Sequence, residues 1–373
     1  MKATINQGDL NKWLSVVSRV VPNRGQLPIL ANVLIEADKE GILLSATNLE
    51  IGLKVTAGGK INEEGALTIP AKSLGEFVQS LPAGNVTLAT EGEKLKIEGG
   101  KLAATFTGIS ATEFPVISKL DEKKDGHRAF KLKKQLIEDV AGQVAYAAAS
   151  DESRPVLTGV KFETSGDKLL ITATDGFRLS RKIITAEEGS KNFEKGLILP
   201  SRTVVEMARI VSEGKKDDVE LGMAGESNQV VLSYEGIYLS SRILEGNFPD
   251  VDKIIPKTEK TEIVLDKEEL MRAVKAVSIF ARDSANVVRF KIEGEILSVE
   301  ASSSQTGESR VEIEADKKGE DGQIAFNYRY VTDFLNSVNS ERVVFKMNDS
   351  LAPGIFGVEK DTSLVHIIMP VRV

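Results

Sequence analysis

The 373-residue chain contains no cysteine, two histidines and no long run of apolar residues. Without cysteine it can form neither disulfides nor thiolate metal sites, and it has no cysteine nucleophile. His127 and His366 are the only imidazoles, which disfavours metal sites and acid–base enzymes. No apolar run approaches the ~18 residues of a membrane span, and the opening MKATINQGDLNKW lacks the apolar core of an export signal. We therefore expect a cytoplasmic protein without metal, cofactor or membrane segment.

The remaining composition is ordinary for a soluble globular chain, with 41% hydrophobic and 28% charged residues. At roughly 100–200 residues per domain, the length predicts two to three domains. The net charge of -7 argues against a uniformly basic protein that binds nucleic acid over its whole surface.

Two long segments of the sequence resemble each other. LPILANVLIEADKEGILLSATNLEIGL begins at Leu27, and RPVLTGVKFETSGDKLLITATDGFRLS begins at Arg154. Each contains a proline followed by aliphatic residues, alternating apolar positions and an Ala-Thr pair. Pro155 follows Pro28 by 127 residues. A third and fainter copy is ANVVRFKIEGEILSVEASSSQTGES.

Other landmarks recur in the same order at a similar period. TIPAKSLGEFVQSL, ILPSRTVVEMARIV and AFNYRYVTDFLNSV each indicate a strand end followed by a helix, with Pro70, Pro200 and Asn327 at the junctions. The period far exceeds the 20–50 residues of solenoid repeats, so each copy should be a domain with its own core. The predicted domains are 1–124, 125–256 and 257–373, with linkers at 119–128 and 254–262.

The apolar periodicity indicates that helices and strands occur in every copy. Leu10, Trp13, Leu14, Val17 and Val21 lie on one helical face of the first copy. In the third copy, Asp266 and Glu269 have the spacing of an N-cap and its N3 partner, and a stripe of Leu270, Ala273, Val274 and Val277 follows. Alternating segments such as VVLSYEGIYLSSRI predict hairpins. We expect an α+β fold in which two helices of each domain pack on antiparallel sheets.

Basic residues lie on the predicted exposed faces of these helices. They are Lys12, Arg19, Lys72, Lys134, Arg202, Arg209, Arg272, Lys275, Arg282 and Arg329, and the pattern is interrupted by Glu206 and Asp333. These faces can simply be solvated. Alternatively, the helices share a surface that meets an anionic polymer, while the acidic remainder of the chain repels it.

The segment ATDGFRLS places Asp175 where a catalytic acid, a metal ligand or a turn residue is possible. Its counterparts in the other copies are Asn48 and Ser303, which share turn-forming ability rather than acid chemistry. The repeat therefore favours a turn role. An enzyme that uses Asp175 with Arg178 would need further acids or bases in one cleft.

Taken together, the motifs resemble those of the bacterial sliding clamps, the beta subunits of DNA polymerase III. They are LPILANVLIEA, SRPVLTGVKFE, ATDGFRLS, GNFPDVDKIIP and the terminal MPVRV, in family order over essentially the whole chain. The resemblance implies three DNA-clamp domains per chain and a ring-shaped head-to-tail homodimer. It also implies a non-catalytic processivity factor whose helices line a hole for duplex DNA. A further alternative is a DNA-binding protein that does not form a ring. Measuring the assembly size separates the two, because a ring should be a stable dimer.

The resemblance also implies partners and sites. The partners are DNA polymerase III, the clamp loader, and other polymerases and repair proteins, each carrying a peptide with a Gln and a hydrophobic end. Sequence-independent contacts to duplex DNA are assigned to Arg24, which matches a DNA-contacting position of the family. From the basic helix faces they are assigned also to Lys12, Arg19, Lys72, Arg202, Arg209, Arg272, Lys275 and Arg282. The peptide groove is assigned to Leu157, Thr174, Gly176, Phe177, Arg178, Leu179, Pro249, Lys253, Ile254, Pro353, Ile367, Ile368, Met369, Pro370, Val371 and Arg372.

Two positions depart from the family pattern, since Phe177 replaces a frequent His and Pro353 replaces a small polar residue. Either change can alter the preference for peptides.

The resemblance assigns the dimer interface to Phe106, Ile109, Ile279 and Phe280. Ile279 and Phe280 can equally be core residues, because Phe280 continues the apolar stripe of its helix.

Overall fold

The structure is a computed structural model that describes residues 1–22, 27–118, 128–151, 153–186, 196–223 and 228–372. In the first copy the helices are α1 (Gln7–Ser18) and α2 (Ala71–Ser80). The strands are β1 (Lys2–Asn6), β2 (Asn32–Asp38), β3 (Gly41–Thr47), β4 (Ile51–Gly58), β5 (Lys60–Glu63), β6 (Gly65–Pro70), β7 (Asn85–Glu91), β8 (Lys94–Gly99) and β9 (Leu102–Thr107).

The third copy repeats this order of elements, and the second repeats it with four described strands rather than five between its helices. The second contains β10 (Arg128–Lys133), α3 (Lys134–Gln143), β11 (Gly159–Ser165), β12 (Lys168–Thr174), β13 (Arg178–Thr185), β14 (Leu197–Pro200), α4 (Ser201–Ser212), β15 (Asp218–Met223), β16 (Gln229–Tyr234) and β17 (Ile237–Arg242). The third contains β18 (Thr261–Asp266), α5 (Lys267–Ala281), β19 (Val287–Glu293), β20 (Ile296–Ser303), β21 (Gly307–Glu314), β22 (Asp316–Gly319), β23 (Gly322–Asn327), α6 (Tyr328–Ser337), β24 (Arg342–Met347), β25 (Gly354–Val358) and β26 (Asp361–Ile368). The prediction of three α+β domains is confirmed.

The predicted junctions between strands and helices are confirmed as well. Strands end at Pro70, Pro200 and Asn327, and a helix begins at the next residue each time. The Asp266 side chain accepts a hydrogen bond from the Glu269 N–H at 2.8 Å, which caps α5 as expected. The predicted linker at 254–262 is too long, because β18 begins at Thr261 and pairs there with β24. Most of the linker at 119–128 lies outside the described residues.

By its contacts the chain divides into two compact units, of which unit 1 comprises Met1–Lys134 and Arg209–Ile243. It contains one sheet of order β5-β1-β7-β8-β9 and a second of order β10-β15-β16-β17-β4-β3-β2-β6. The second sheet joins strands of two copies, because β4 pairs antiparallel with β17, with Ile51 opposite Ser241.

Unit 2 comprises Gln135–Ala208 and Leu244–Val373. One sheet has the order β14-β11-β12-β13-β26-β25-β24-β18-β22, and a smaller one has the order β21-β20-β19-β23. Here β13 pairs antiparallel with β26, with Arg178 opposite Ile368. In both units, the third strand after the first helix of one copy pairs with the last strand of the next copy. These strands are β4 and β17 in unit 1, and β13 and β26 in unit 2.

The cores follow the predicted periodicity. Leu10, Leu14 and Val17 of α1 are buried as expected, whereas Trp13 and Val21 are only half-buried. In unit 2, the predicted stripe of α5 is buried against a cluster that includes Phe290, Phe326, Phe334, Phe345 and Phe356. Neighbouring rings of this cluster meet mainly edge to face, an arrangement that the aromatic quadrupole favours.

The predicted hairpin VVLSYEGIYLSSRI is confirmed as β16 and β17. Glu235 and Gly236 form its turn with φ values of 48° and 83°. Two successive residues with positive φ match the twist of the flanking strands, and glycine adopts this conformation without strain.

Candidate functional site

The ATDGFRLS loop connects β12 to β13, and its Asp175 is a turn residue. Its Oδ1 accepts hydrogen bonds from the N–H groups of Phe177 and Arg178, both at 2.9 Å. Its Oδ2 pairs with Nε of Arg178 at 3.0 Å. Both carboxylate oxygens are therefore engaged in holding the loop and the Arg178 side chain.

The same turn occurs in the other copies, as the sequence comparison predicts. Asn48 Oδ1 accepts from the N–H groups of Glu50 at 3.0 Å and Ile51 at 2.8 Å. Ser303 Oγ accepts from those of Gln305 and Thr306 at 3.2 and 3.4 Å. One pattern built with Asp, Asn and Ser indicates that turn geometry, rather than a carboxylate, is the shared requirement.

Arg178 connects the second and third copies within unit 2. Its Nη1 donates to Asp333 of α6 at 2.5 Å, and its Nη2 donates to the carbonyl oxygen of Tyr146 at 2.9 Å. The guanidinium also stacks 4.7 Å from the ring centre of Tyr330. Five donors in a rigid fork let one arginine bind several acceptors at once.

A small, mainly apolar groove opens beside this arginine. The residues that line it are Arg154, Leu157, Thr174, Gly176, Arg178, Leu179, Pro249, Val251, Ile254, Ile367 and Met369. Leu179, Val251 and Ile367 form a buried apolar cluster at its base. An apolar groove with a few polar groups suits a short peptide with hydrophobic anchors.

The structure brings nine of the predicted groove residues together in this lining: Leu157, Thr174, Gly176, Arg178, Leu179, Pro249, Ile254, Ile367 and Met369. Sequence reasoning missed Arg154 and Val251. Both lie within motifs that carry the family resemblance, SRPVLTGVKFE and GNFPDVDKIIP, so the motifs contained the signal.

Ile368 is a correction, because its side chain is fully buried in the core of the third copy. Neighbouring residues of a strand face opposite sides of the sheet, so Ile367 reaches the groove cluster and Ile368 the core. Phe177 is 59% exposed, and its carbonyl oxygen accepts from the Met369 N–H at 2.9 Å, which places it beside the lining. The described cavity lining does not include Lys253, Pro353, Pro370, Val371 or Arg372, whose peptide contacts stay predictions.

A half-buried tyrosine and a fully buried histidine lie behind the Arg178 network. The Tyr146 hydroxyl and Nδ1 of His366 are hydrogen-bonded at 3.0 Å. Burial, followed by the charge of Arg178, lowers the pKa of His366 to about 3, so its imidazole is neutral near pH 7. Burial raises the pKa of Tyr146 to about 12. Neither group titrates near neutral pH, which fits a structural role.

Most basic residues predicted to meet DNA lie on the surface. Lys12, Lys72, Arg202, Arg209, Arg272, Lys275 and Arg282 are exposed. Arg19 is half-buried, with its Nη2 donating to Glu213 at 2.5 Å. Arg24 lies outside the described residues. Glu206 is only 5% exposed, so it does not interrupt the exposed face of α4. It lies three residues after Thr203 and four before Ile210, on the buried side of that helix.

The predicted interface residues differ in their surroundings. Ile279 is 58% exposed, whereas Phe280 is half-buried and packs against the core of the third copy. Phe106 of β9 packs edge to face with Phe77 at 5.7 Å between ring centres. Ile109 is half-buried and pairs with Thr68 in an isolated bridge. Both alternatives for Phe280 stay open, since a half-buried side chain can contact the core and a partner.

Among the described residues, no three or more His, Asp or Glu side chains are arranged to bind a metal ion. The helices of the described ranges include none with the length and apolarity to cross a membrane.

Comparisons with known proteins extend the match to the whole chain. Family models for the N-terminal, central and C-terminal domains of the DNA polymerase III beta subunit match residues 1–118, 131–250 and 252–372. The beta sliding clamp of Synechocystis is 31% identical, covering 100% of this chain and 99% of the relative.

Solved structures agree. The sliding clamp of Bartonella birtlesii, in complex with griselimycin, has 27% identity and a TM-score of 0.93, and each chain is covered in full. The beta subunit of Thermotoga maritima has 28% identity and a TM-score of 0.90, with 100% of this chain and 99% of that chain covered. With three family models in chain order and a relative above 30% identity over the full length, the chain belongs to the DNA polymerase III beta subunit family, the bacterial sliding clamps.

Proposed function

We propose that the protein is a non-catalytic clamp that closes head to tail as a homodimeric ring around duplex DNA in the cytoplasm and tethers a polymerase. The observation that carries this proposal is the repeated joint between copies. Ile51 and Arg178 are equivalent, 127 residues apart, and their strand partners Ser241 and Ile368 are also 127 residues apart. The two strand pairings between copies have the same register, which indicates that successive copies join in the same way.

This way of joining copies leaves two edge strands without a counterpart in the described sheets, β9 in unit 1 and β21 in unit 2. By position in the repeat, β21 corresponds to β4 and β13, whereas β9 corresponds to β17 and β26. A second chain can supply the missing partner at each edge. An exposed edge strand readily pairs with another chain, so this is a physically favourable closure.

The register of that closure follows from the two internal joints. Ser180 lies opposite His366, and Leu53 lies opposite Leu239. At the equivalent positions of β21 and β9, Ser309 would lie opposite Ala104 of the partner subunit. Next to it, Gly307 would face Phe106 of the partner subunit. A Cβ at Gly307 would lie 3.9 Å from Phe280. This register therefore also brings Phe280 near Phe106 of the partner subunit, and both are predicted interface residues.

A disulfide between subunits tests the register directly, because the natural chain has no cysteine. We expect Ala104→Cys with Ser309→Cys to give an oxidised dimer of about twice 40.4 kDa on a non-reducing gel. When this dimer is closed around circular DNA, it should stay bound until the DNA is linearised.

The matched control is Ala103→Cys with Ser309→Cys. A shift of one residue turns the side chain to the other face of the sheet, so this pair should cross-link poorly. Equal cross-linking of both pairs would contradict the register. A cross-linked dimer that leaves circular and linear DNA equally would contradict encirclement.

Duplex DNA would be held by charge rather than by base recognition. Lys and Arg contacts to phosphate carry no sequence information and permit sliding. Arg272 and Lys275 are exposed on α5, and Arg282 directly follows the helix. The phenol of Tyr328 is hydrogen-bonded by Arg329 and Arg282, which lowers its pKa and indicates that these cations lie together.

Removing these charges should weaken DNA retention without creating a base preference. For Lys275→Ala, and for the Arg272→Ala Lys275→Ala double variant, we expect the slope of log affinity against log salt to flatten by roughly 0.9 per lost phosphate contact. Salt titration of clamps on circular duplex gives this slope. Lys346→Ala is the control, since Lys346 already pairs with Glu259 and Glu262, each at 2.8 Å. An unchanged slope in the double variant would remove α5 from the DNA-facing surface.

The groove beside Arg178 would dock the partners, namely polymerase, clamp loader and repair proteins. Leu157, Leu179 and Ile367 offer an apolar base for the hydrophobic end of a peptide. The Thr174 hydroxyl donates to the Arg178 carbonyl oxygen, and the Arg178 guanidinium donates to Asp333. Both groups are therefore bound within the chain and stabilise the shape of the groove. Such preorganisation favours peptide affinity.

A further inference from the structure

One wall of the peptide groove comes from a segment with little regular structure. Pro249, Val251 and Ile254 belong to residues 244–260, in which the one short helical turn spans Val251–Lys253. Among the described residues, the backbone bonds that tie this segment to the sheet are at its ends, from Leu244 N–H to Ile198 O at 2.9 Å and from Lys260 N–H to Met347 O at 3.1 Å. Side chains must hold the wall in between.

An ion pair fixes the middle of this wall. Nη1 of Arg181 donates to Oδ1 of Asp252 at 2.5 Å. Asp252 directly follows Val251, at the base of the groove, and lies two residues before Ile254, on its rim. Fixing Asp252 therefore fixes both lining residues.

The arginine is the rigid member of the pair. Arg181 lies on β13 two residues after Leu179, so both side chains leave the same face of the sheet. Its side chain is only 8% exposed, and its Nε donates to Thr172 Oγ1 on the neighbouring strand at 3.0 Å. The Asp252 side chain is 71% exposed. A sheet-bound guanidinium thus holds a surface carboxylate.

We propose that Arg181 and Asp252 form a positioning pair that holds the Val251–Ile254 wall in its peptide-binding conformation. This inference rests on the proposed peptide-docking function of the groove. Neither residue belongs to the described lining of the groove, so the pair acts through Val251 and Ile254 rather than by touching the peptide. Breaking it should increase the entropy that peptide binding must remove.

The neighbouring Asp250 provides a matched control. It lies on the same segment and pairs with Lys253 at 3.1 Å, but both side chains are exposed, at 56% and 83%. Exposed pairs of this kind contribute little to structure. Asp250→Asn and Asp252→Asn remove the same charge two residues apart, and only the second removes the ion pair between this segment and the sheet.

The first measurement needs no peptide. The Ile254 N–H donates to the Val251 carbonyl oxygen at 3.0 Å, so its hydrogen exchange reports on the wall. In the full-length dimer, Asp252→Asn should accelerate exchange at Ile254 roughly tenfold, whereas Asp250→Asn should leave it within about twofold. Equal exchange in the two variants would overturn the proposal.

The second measurement uses a Gln-containing peptide with a Leu-Phe end. Asp252→Asn should weaken its binding roughly tenfold, an ordinary size for coupling between linked sites. Asp252→Glu keeps the carboxylate and should restore part of the affinity. Adding Arg181→Met to Asp252→Asn should cost little more, because the two changes remove one interaction. Full additivity or no rescue would contradict the pair's role.

The outcomes separate this inference from the proposed function. If the wild-type dimer does not bind the peptide, groove docking is wrong, and the exchange experiment alone decides whether the pair positions the wall. If the wild type binds and Asp252→Asn binds equally well, docking stands and the positioning role is wrong.

Discussion

A chain that ends at Ile368 should fold and dimerise, yet bind the partner peptide roughly 100-fold more weakly or not at all. Met369 lines the groove together with Pro249, Val251 and Ile254 and is 36% exposed. Its loss, together with Pro370, would remove apolar contact area from a site in which a few such contacts dominate affinity. Fluorescence anisotropy with the Gln-containing, Leu-Phe-ended peptide measures the effect.

The truncation should leave the core intact for a specific reason. Among the described residues, it removes two backbone bonds, from Met369 N–H to Phe177 O at 2.9 Å and from Val371 N–H to Ala325 O at 2.8 Å. At about 1 kcal/mol each, these losses are small beside a typical folding free energy. Ile368, the last buried residue of the strand, is retained.

Two substitutions complete the test of the groove. Leu179→Ala removes buried side-chain area inside it and should also weaken the peptide. Leu351→Ala removes an apolar side chain that is 65% exposed and outside the described lining, and should have no effect. Full affinity in the truncated chain would place the peptide site elsewhere, whereas an unfolded product would make residues 369–373 structural.

The repeat in the sequence predicts the fold well because landmark residues have local causes. The side chain that caps α5 is Asp266, and a turn at Asp175, Asn48 or Ser303 needs only a short acceptor side chain. Each of these features depends on residues within three positions of one another. A single sequence therefore contains the whole signal.

Features that depend on distant partners could not be predicted in the same way. Arg181 and Asp252 are 71 residues apart, and the sequence gives no sign that a sheet holds one against the other. The same holds for Arg178 with Asp333, which are 155 residues apart. Strand parity explains the error at Ile368, because apolar residues on both faces hide which one reaches the groove.

Solvent exposure also distinguishes side chains for which the sequence pattern predicts the same environment. Ile279 and Phe280 are adjacent apolar residues at the end of α5, and pattern alone assigns both to an interface or both to a core. The structure leaves Ile279 58% exposed, while Phe280 packs against the core cluster. A large apolar side chain so exposed at a predicted contact is a natural site for testing assembly.

Ile279→Asp should therefore convert the dimer into a folded monomer. The new carboxylate would be placed without a partner in an apolar contact between subunits, at a cost of several kcal/mol per interface. A ring of two chains contains this contact twice. Sedimentation should show the mass falling from about twice 40.4 kDa to 40.4 kDa, with the thermal midpoint of each chain little changed. Phe280→Asp should instead lower that midpoint, because part of its ring belongs to the core.

The matched control is Ile296→Asp. Ile296 is also an exposed isoleucine of unit 2, at 42%, but it lies opposite Glu314, at the other end of β21 from Gly307. The register derived from the two internal joints places the closure near Gly307, so a charge at Ile296 should leave the dimer intact. A dimer that survives Ile279→Asp but is lost in Ile296→Asp would move the contact to the far end of β21, and the cysteine pair at Ala104 and Ser309 should then also fail to cross-link.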